Sequence, residues 1–145
     1  MRRAELHSLA AARLRGLNQR YTAARRTLID ILADADGPLT TAAIGERDGD
    51  LALSSTYRNL SLLEQAGLVR RVITSAEHAS YELAEELTEH HHHLLCTRCG
   101  SVRDFTISAE LESGLDHALR RIAKRNEFDA SSHRLDLIGT CAACR

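Results

Sequence analysis

The chain has 145 residues, with 19 Lys and Arg against 20 Asp and Glu, a formal net charge of −1, four cysteines and eight histidines. With 43% apolar residues, this length supports one folded domain or two small ones, and the balanced charged content argues against wholesale disorder. No apolar run is long enough for a membrane span, and a near-zero charge sum taken alone points away from nucleic acid.

Resolved along the chain, that sum divides. Up to Leu28 there are Arg2, Arg3, Arg13, Arg15, Arg20, Arg25 and Arg26 against the single acid Glu5. Such a segment is either a footprint for phosphate or a solvated Arg-rich helix face. Met1 to His7 leads into an amphipathic stretch rather than an apolar core with a small-residue cleavage site. No signal peptide is therefore expected, and a cytoplasmic location keeps the thiols reduced.

Residues 4–16 read as a first helix, with Leu6, Leu9 and Leu14 on one side. Thr22 can cap a second helix to about Asp34, with Leu28, Ile29, Ile31 and Leu32 as its apolar face. Asp36-Gly37-Pro38 is a turn. Thr40 or Thr41 opens a short helix, which Asp48-Gly49-Asp50 breaks. Ser54 or Ser55 then caps a helix ending at Gly67, a good residue for the left-handed position after a helix. Residues 68–73 and 80–83 read as two short strands. Three helices and a hairpin in this order make a winged helix-turn-helix.

The helix before Gly67 is the informative one. At 100° per residue, Thr56, Leu60, Leu62, Leu63 and Ala66 share one arc, and Ser54, Tyr57, Arg58, Ser61, Glu64 and Gln65 the other. Ser54, Tyr57, Arg58 and Ser61 can thus face a major groove, where hydrogen-bonding side chains read base edges and phosphates. The competing reading is an ordinary solvent face with one exposed Tyr.

Cys96-Thr97-Arg98-Cys99 and Cys141-Ala142-Ala143-Cys144 are two C-x-x-C pairs. Together they supply the four thiolates that a tetrahedral structural zinc prefers. A redox dithiol would need a βαβ setting that is absent, and the compartment disfavours disulfides. The 41 residues between Cys99 and Cys141 require the fold to bring the chain's last residues back to the first pair. His90-His91-His92-His93 precedes the first pair. If it is extended, alternation puts His91 and His93 on one face and His90 and His92 on the other, so one strand can serve two metal sites. The alternative is a polar histidine-rich linker. Beyond it, Ser101–Thr106 reads as a strand and Ala109–Asn126 as a helix with Leu111, Leu115, Leu119 and Ile122 inward. His133–Gly139 reads as another strand.

These residues resemble the ferric-uptake-regulator (Fur) family of bacterial metal-responsive repressors from about Gly16 to Arg145. The resemblance rests on Thr22 to Arg25, Ser55-Thr56-Tyr57-Arg58-Asn59-Leu60, Gly67 to Val69, Tyr81-Glu82-Leu83, the His90–Cys99 segment, His133 and the Cys141–Cys144 pair. It implies an α+β protein. A winged-helix DNA-binding domain would occupy residues 1–84, and a small C-terminal α/β dimerisation domain with a four-cysteine zinc site would occupy 85–145. It further implies a homodimer that binds inverted-repeat double-stranded DNA when a hinge site is metal-loaded.

By the same resemblance, Tyr57 and Arg58 match the recognition-helix pair, and Arg25 a basic residue of a preceding helix. Cys96, Cys99, Cys141 and Cys144 match the structural zinc site. The hinge site corresponds to His91 and His93, with Glu82 as the best carboxylate match and Asp104, five residues after Cys99. Leu39 and Arg70 stand where some branches place a further His or Asp, and His78 is a substitute by proximity. The second site corresponds to His90, His92 and His133 with one acid. The segment after Asp104 is longer than the usual pattern; counting back from His133 favours Asp116, and Glu112, one turn earlier on the same helix face, is the alternative.

A hinge set of imidazole and carboxylate without thiol suits Fe(II), Mn(II), Ni(II) or Zn(II), with iron favoured. Two other classes are weighed against this reading. A zinc hydrolase needs an open coordination position and a general base, and no H-E-x-x-H or nucleophile elbow is found. A metal-storage protein would not bind DNA at all.

Overall fold

The computed structural model describes residues 1–75 and 78–145, and the side chains of Thr74, Ser75 and His78 lie outside that description. The element order begins α1 (Arg3–Gly16), α2 (Ala23–Ala33), β1 (Leu39–Thr40), α3 (Thr41–Arg47) and α4 (Leu53–Gln65). It continues with β2 (Val69–Ser75), β3 (His78–Leu83), a 3₁₀ turn (Glu85–Leu87), β4 (His92–Cys96), β5 (Val102–Phe105), α5 (Ala109–Arg125) and β6 (Asp136–Gly139). None of these helices is long and apolar enough to cross a membrane.

In α1, Leu6, Ala10 and Leu14 recur every fourth residue and are buried together, the stripe that a 3.6-residue period requires. They meet Leu28, Ile29 and Leu32 of α2 in one core. His7, on the same side of α1, is also buried: its Nδ1 lies 2.6 Å from Tyr21 Oη and its Nε2 3.0 Å from Asp30 Oδ1, so both ring nitrogens are satisfied. The Thr22 side chain caps α2 and that of Thr40 caps α3. Ile44 of α3 and Leu60 and Leu63 of α4 close the core from the other side.

The capping expected of Ser54 or Ser55 is not what the structure uses. The α4 helix starts at Leu53 from Ala52, whose carbonyl accepts both the Thr56 N–H and its hydroxyl. The two serines therefore sit in the first turn. At the other end Gly67 has φ of +67°, and Leu68 N–H donates to the Leu63 carbonyl, the closing bond of a glycine-terminated helix.

Behind α4, β2 and β3 pair antiparallel with Arg70 opposite Glu82, and β1 adds on the far side of β3. This is the expected winged helix-turn-helix, with a longer wing than the two short strands predicted. The second sheet has the order β5-β4-β6. There β4 is antiparallel to β5 and parallel to β6, with α5 in the crossover between them. The parallel pairing sets Cys96 beside Gly139, which returns the end of the chain to the first C-x-x-C turn.

One expectation for α5 fails. Leu111, Leu115, Leu119 and Ile122 are predicted to point inward, yet no residue of α5 is buried, and Leu111 and Ile122 are 60% and 46% exposed. A three-stranded sheet is too small to cover a five-turn helix. Its own Leu137 and Ile138 are 53% and 71% exposed in the single chain.

Candidate metal centres and nucleic-acid interface

Three groups of ligating side chains form among the described residues, and within each the ligand atoms lie within 4.8 Å of one another. The first is Cys96, Cys99, Cys141 and Cys144, all free thiols. Gly100, at φ +72°, turns the chain so that its N–H donates to the Cys96 carbonyl, the left-handed position that only glycine takes freely. Cys141 N–H lies 3.3 Å from Cys96 Sγ, and Cys99 Sγ 3.7 Å from Cys141 Sγ. Backbone N–H groups of Cys99 and Cys141 hold the Cys96 thiol down at about 6, whereas the thiols of Cys141 and Cys99 push Cys144 up to about 12. Four thiolates at this spacing need a cation among them, and the donor set is that of structural zinc.

The second group is Glu82 from β3, His91 just before β4, His93 in β4 and Asp104 from β5. The register builds it: His93 pairs with Asp104 on one side and with Asp136 on the other. Glu82 Oε2 lies 3.1 Å from His91 Nε2 and 3.2 Å from His93 Nε2, and Asp104 comes within 3.8 and 3.7 Å of the same two nitrogens. The opposite ring nitrogens are held from outside. His91 Nδ1 donates to the Glu89 carbonyl at 2.8 Å, and His93 Nδ1 lies 3.4 Å from Asp136 Oδ1. This is the outer-shell pattern that leaves Nε2 free to ligate.

Burial raises the Glu82 carboxyl, but the hydrogen bond from His93 and the charge of Arg70 outweigh it and hold the group at about 2. Burial pushes Asp104 up. On His91 burial acts downward, and the bonds to Glu89 and Glu82 outweigh it to raise the imidazole. A cavity of about 440 Å³, bounded by Glu82, His91 and Asp104 with Leu6 and Leu32, gives this group a route to solvent.

The third group is His90, His92, Glu112 and His133. Glu112 lies 3.2 Å from His90 Nε2, 2.9 Å from His92 Nε2 and 2.9 Å from His133 Nε2. Buried His92 Nδ1 has no hydrogen-bond partner, and Glu112 Oε1 and His133 Nε2, though 2.9 Å apart, meet at an angle that makes no hydrogen bond. Polar atoms that converge this closely with their hydrogen-bonding only partly satisfied fit a divalent cation between them. The count back from His133 favours Asp116, but the structure gathers Glu112 and leaves Asp116 behind His133, with Oδ1 3.2 Å from Nδ1. A helical turn separates the two acids, and the longer segment before His133 shifts the count.

On α4, Ser54, Tyr57, Arg58 and Ser61 are exposed, opposite buried Thr56, Leu60 and Leu63. Tyr57 is 51% exposed, and its Oη accepts a hydrogen bond from Thr41 of α3. Arg25 is half-buried, with Nε donating to Asn59 Oδ1 at 3.0 Å. The structure thus brings all the named ligand candidates into one of the three groups except Asp116, which stands one contact away, and His78, whose side chain lies outside the described residues. Sequence reasoning passed over Asp136 and Glu85. Asp136 needs the parallel β4–β6 pairing to be known, and Glu85 sits in an acidic run without a distinguishing signal.

Comparison with known proteins agrees with this geometry. The model of the "Ferric uptake regulator family" matches residues 16–138. The ferric uptake regulation protein of Legionella pneumophila is 34% identical over 103 residues, 71% of either chain. That of Bordetella parapertussis is 29% identical over 137 residues, 91% of this chain and 94% of that one. Among solved structures, the Helicobacter pylori ferric uptake regulator, described as having three functional metal binding sites, superposes with a TM-score of 0.76 at 22% identity. The match covers 99% of this chain and 94% of that one. A zinc-bound manganese uptake regulator superposes at 0.64 with 30% identity, covering 94% and 98%.

Proposed function

The chain belongs to the ferric uptake regulator family, and from that premise we propose that it represses transcription by binding inverted-repeat operator DNA as a homodimer when its hinge site holds a divalent metal. It acts by binding rather than by catalysis, in the cytoplasm. Residues 1–84 form the DNA-binding domain and residues 85–145 the dimerisation and metal-binding domain.

The observation that carries the reading is that Glu82, on the wing strand β3, meets His91, His93 and Asp104 of the other domain in one ligand set. A metal bound there supplies a cross-link between the domains. Glu82 fixes the end of the wing, and His91, His93 and Asp104 fix the second sheet against it. The two winged helices of a dimer are then held at one spacing, so that Tyr57 and Arg58, with Ser54 and Ser61, face successive major grooves while Arg25 faces phosphate. Differential affinity of about 1–3 kcal/mol gives roughly 5–150-fold coupling of metal to DNA. The four cysteines hold structural zinc, and His90, His92, Glu112 and His133 form a second site. Two imidazoles and two carboxylates without thiol favour Fe(II) over Zn(II), Mn(II) or Ni(II) at the hinge. The exposed apolar side chains of α5 and β6 supply the dimer contact.

The test is a gel shift on inverted-repeat duplex, with chelator and with each metal added back. The His91→Ala/His93→Ala variant is expected to lose metal-dependent binding while keeping its zinc and its fold. Metal dependence that survives in that variant defeats the hinge assignment.

A further inference from the structure

Between the two histidine-containing groups runs a line of charged side chains that neither group uses as a ligand. Glu82 turns Oε2 toward His91 and His93 and accepts a hydrogen bond from Arg70 Nε on Oε1. Arg70 Nη1 reaches Glu85 Oε2 at 3.1 Å. The other oxygen of Glu85, Oε1, is hydrogen-bonded to His90 Nδ1, and His90 Nε2 faces Glu112 in the third group. We propose that Arg70 and Glu85 are positioning residues that join the hinge site and the second metal site into one thermodynamic unit. The inference rests on reading both groups as metal sites.

Each link uses a different atom. Glu82 and His90 each give one atom to a cluster and one to the chain between them, and Arg70 and Glu85 each hold one partner on either side. A guanidinium suits the middle position because its planar fork donates in two fixed directions at once. Glu85 does for His90 what outer carboxylates do for metal-bound imidazoles, fixing the tautomer and aiming Nε2. The side chains of Arg70 and Glu85 are only 26% and 29% exposed, so they are largely shielded from competing water. Ordering one end therefore lowers the cost of ordering the other. The line also crosses between domains, from β2 and β3 of the wing through the 3₁₀ turn to His90.

The crossed effects distinguish this from local support. Arg70 touches a hinge ligand and no ligand of the second site; Glu85 touches a second-site ligand and none of the hinge. Co(II) is titrated against a competing chelator into full-length protein whose cysteine site holds zinc. His133→Ala isolates the hinge site and His91→Ala isolates the second. Added to His133→Ala, Glu85→Gln is expected to lower hinge affinity about tenfold; added to His91→Ala, Arg70→Gln is expected to lower second-site affinity about tenfold. Arg70→Lys, which keeps the charge without the fork, is expected to leave the second loss in place. Circular dichroism checks the fold of every variant.

Crossed affinities unchanged within about twofold, or full rescue by Lys, overturn the inference. If either single-site background takes up no Co(II), the reading of that group as a metal site fails instead, and the inference with it.

Discussion

The two halves of this molecule are built on different terms. In the first, Leu14, Leu28, Ile29, Ile44, Leu60, Leu63 and Leu68 are fully excluded from water in one core. In the second, Leu95, Cys96 and Val102 are buried apolar side chains, Leu87 packs into the first core instead, and the most deeply buried groups are His92 and His93, each 2% exposed. A half this small cannot pay for its own ordering with apolar burial. It places imidazoles and carboxylates where a core would otherwise be, and leaves the apolar side of α5 uncovered. One half is held by what its sequence buries, and the other gathers ligating groups where a core would stand.

The largest effect separates the halves by their ligands. Cys96→Ser with Cys99→Ser removes two thiolates from the first group. Since structural zinc in small domains contributes about 10–16 kcal/mol of apparent binding energy, residues beyond Cys96 are expected to lose their amide protection in hydrogen exchange. The helices α1, α2 and α4 are expected to keep theirs. Protection lost throughout the chain would show that the halves fold as one unit.

The reverse test is Leu60→Ala. It removes a fully buried side chain from the first core and should cost about 2–5 kcal/mol in urea unfolding of that half, with zinc content unchanged. On the surface of the second half, Ile138→Asp is expected to turn a dimer into a monomer in sedimentation while leaving the chain folded, because the side chain is 71% exposed in the single chain. A dimer that persists moves the contact elsewhere.

The same contrast decides what was legible in the sequence. The first half announces itself through period: Leu6, Ala10 and Leu14, the capping Thr22 and Thr40, and Gly67 at a helix end are local signals with local causes. Three groups of ligating side chains were legible because C-x-x-C pairs and four adjacent histidines constrain chemistry whatever the fold, and the resemblance added His133 and the acids. What stayed hidden depends on pairing between distant segments. The choice of Glu112 over Asp116 turns on one helical turn, and Asp136 beside His93 turns on a parallel register. The outward face of α5 cannot be told from an inward one by periodicity, since both show the same stripe.

The hinge group gives a smaller effect, read through pH. Glu82, held at about 2, is ionised throughout the neutral range, so protons do not compete with metal there. They compete at His91, whose proton is held more tightly than in a free imidazole, and a protonated imidazole cannot ligate. Metal affinity at the hinge should therefore fall as pH drops through the histidine range and level off above it. A flat titration from pH 6 to 8 in the His133→Ala background would remove His91, and His93 with it, from the ligand set.

The smallest effect tests how far the halves are joined outside the metal sites. Arg13 of α1 donates to the Gly67 carbonyl at 2.6 Å through Nη1, and through Nη2 lies 2.6 Å from Glu86 in the 3₁₀ turn. Glu86 is 61% exposed, so its ion pair adds little in water, and most of the effect comes from the bond to the Gly67 carbonyl just beyond α4. Arg13→Ala is therefore expected to cost about 1 kcal/mol in urea unfolding of the first half, while Glu86→Gln costs about half of that or less. If Glu86→Gln matched Arg13→Ala, the turn itself would be bearing load, and the first half would no longer be held by its own core alone.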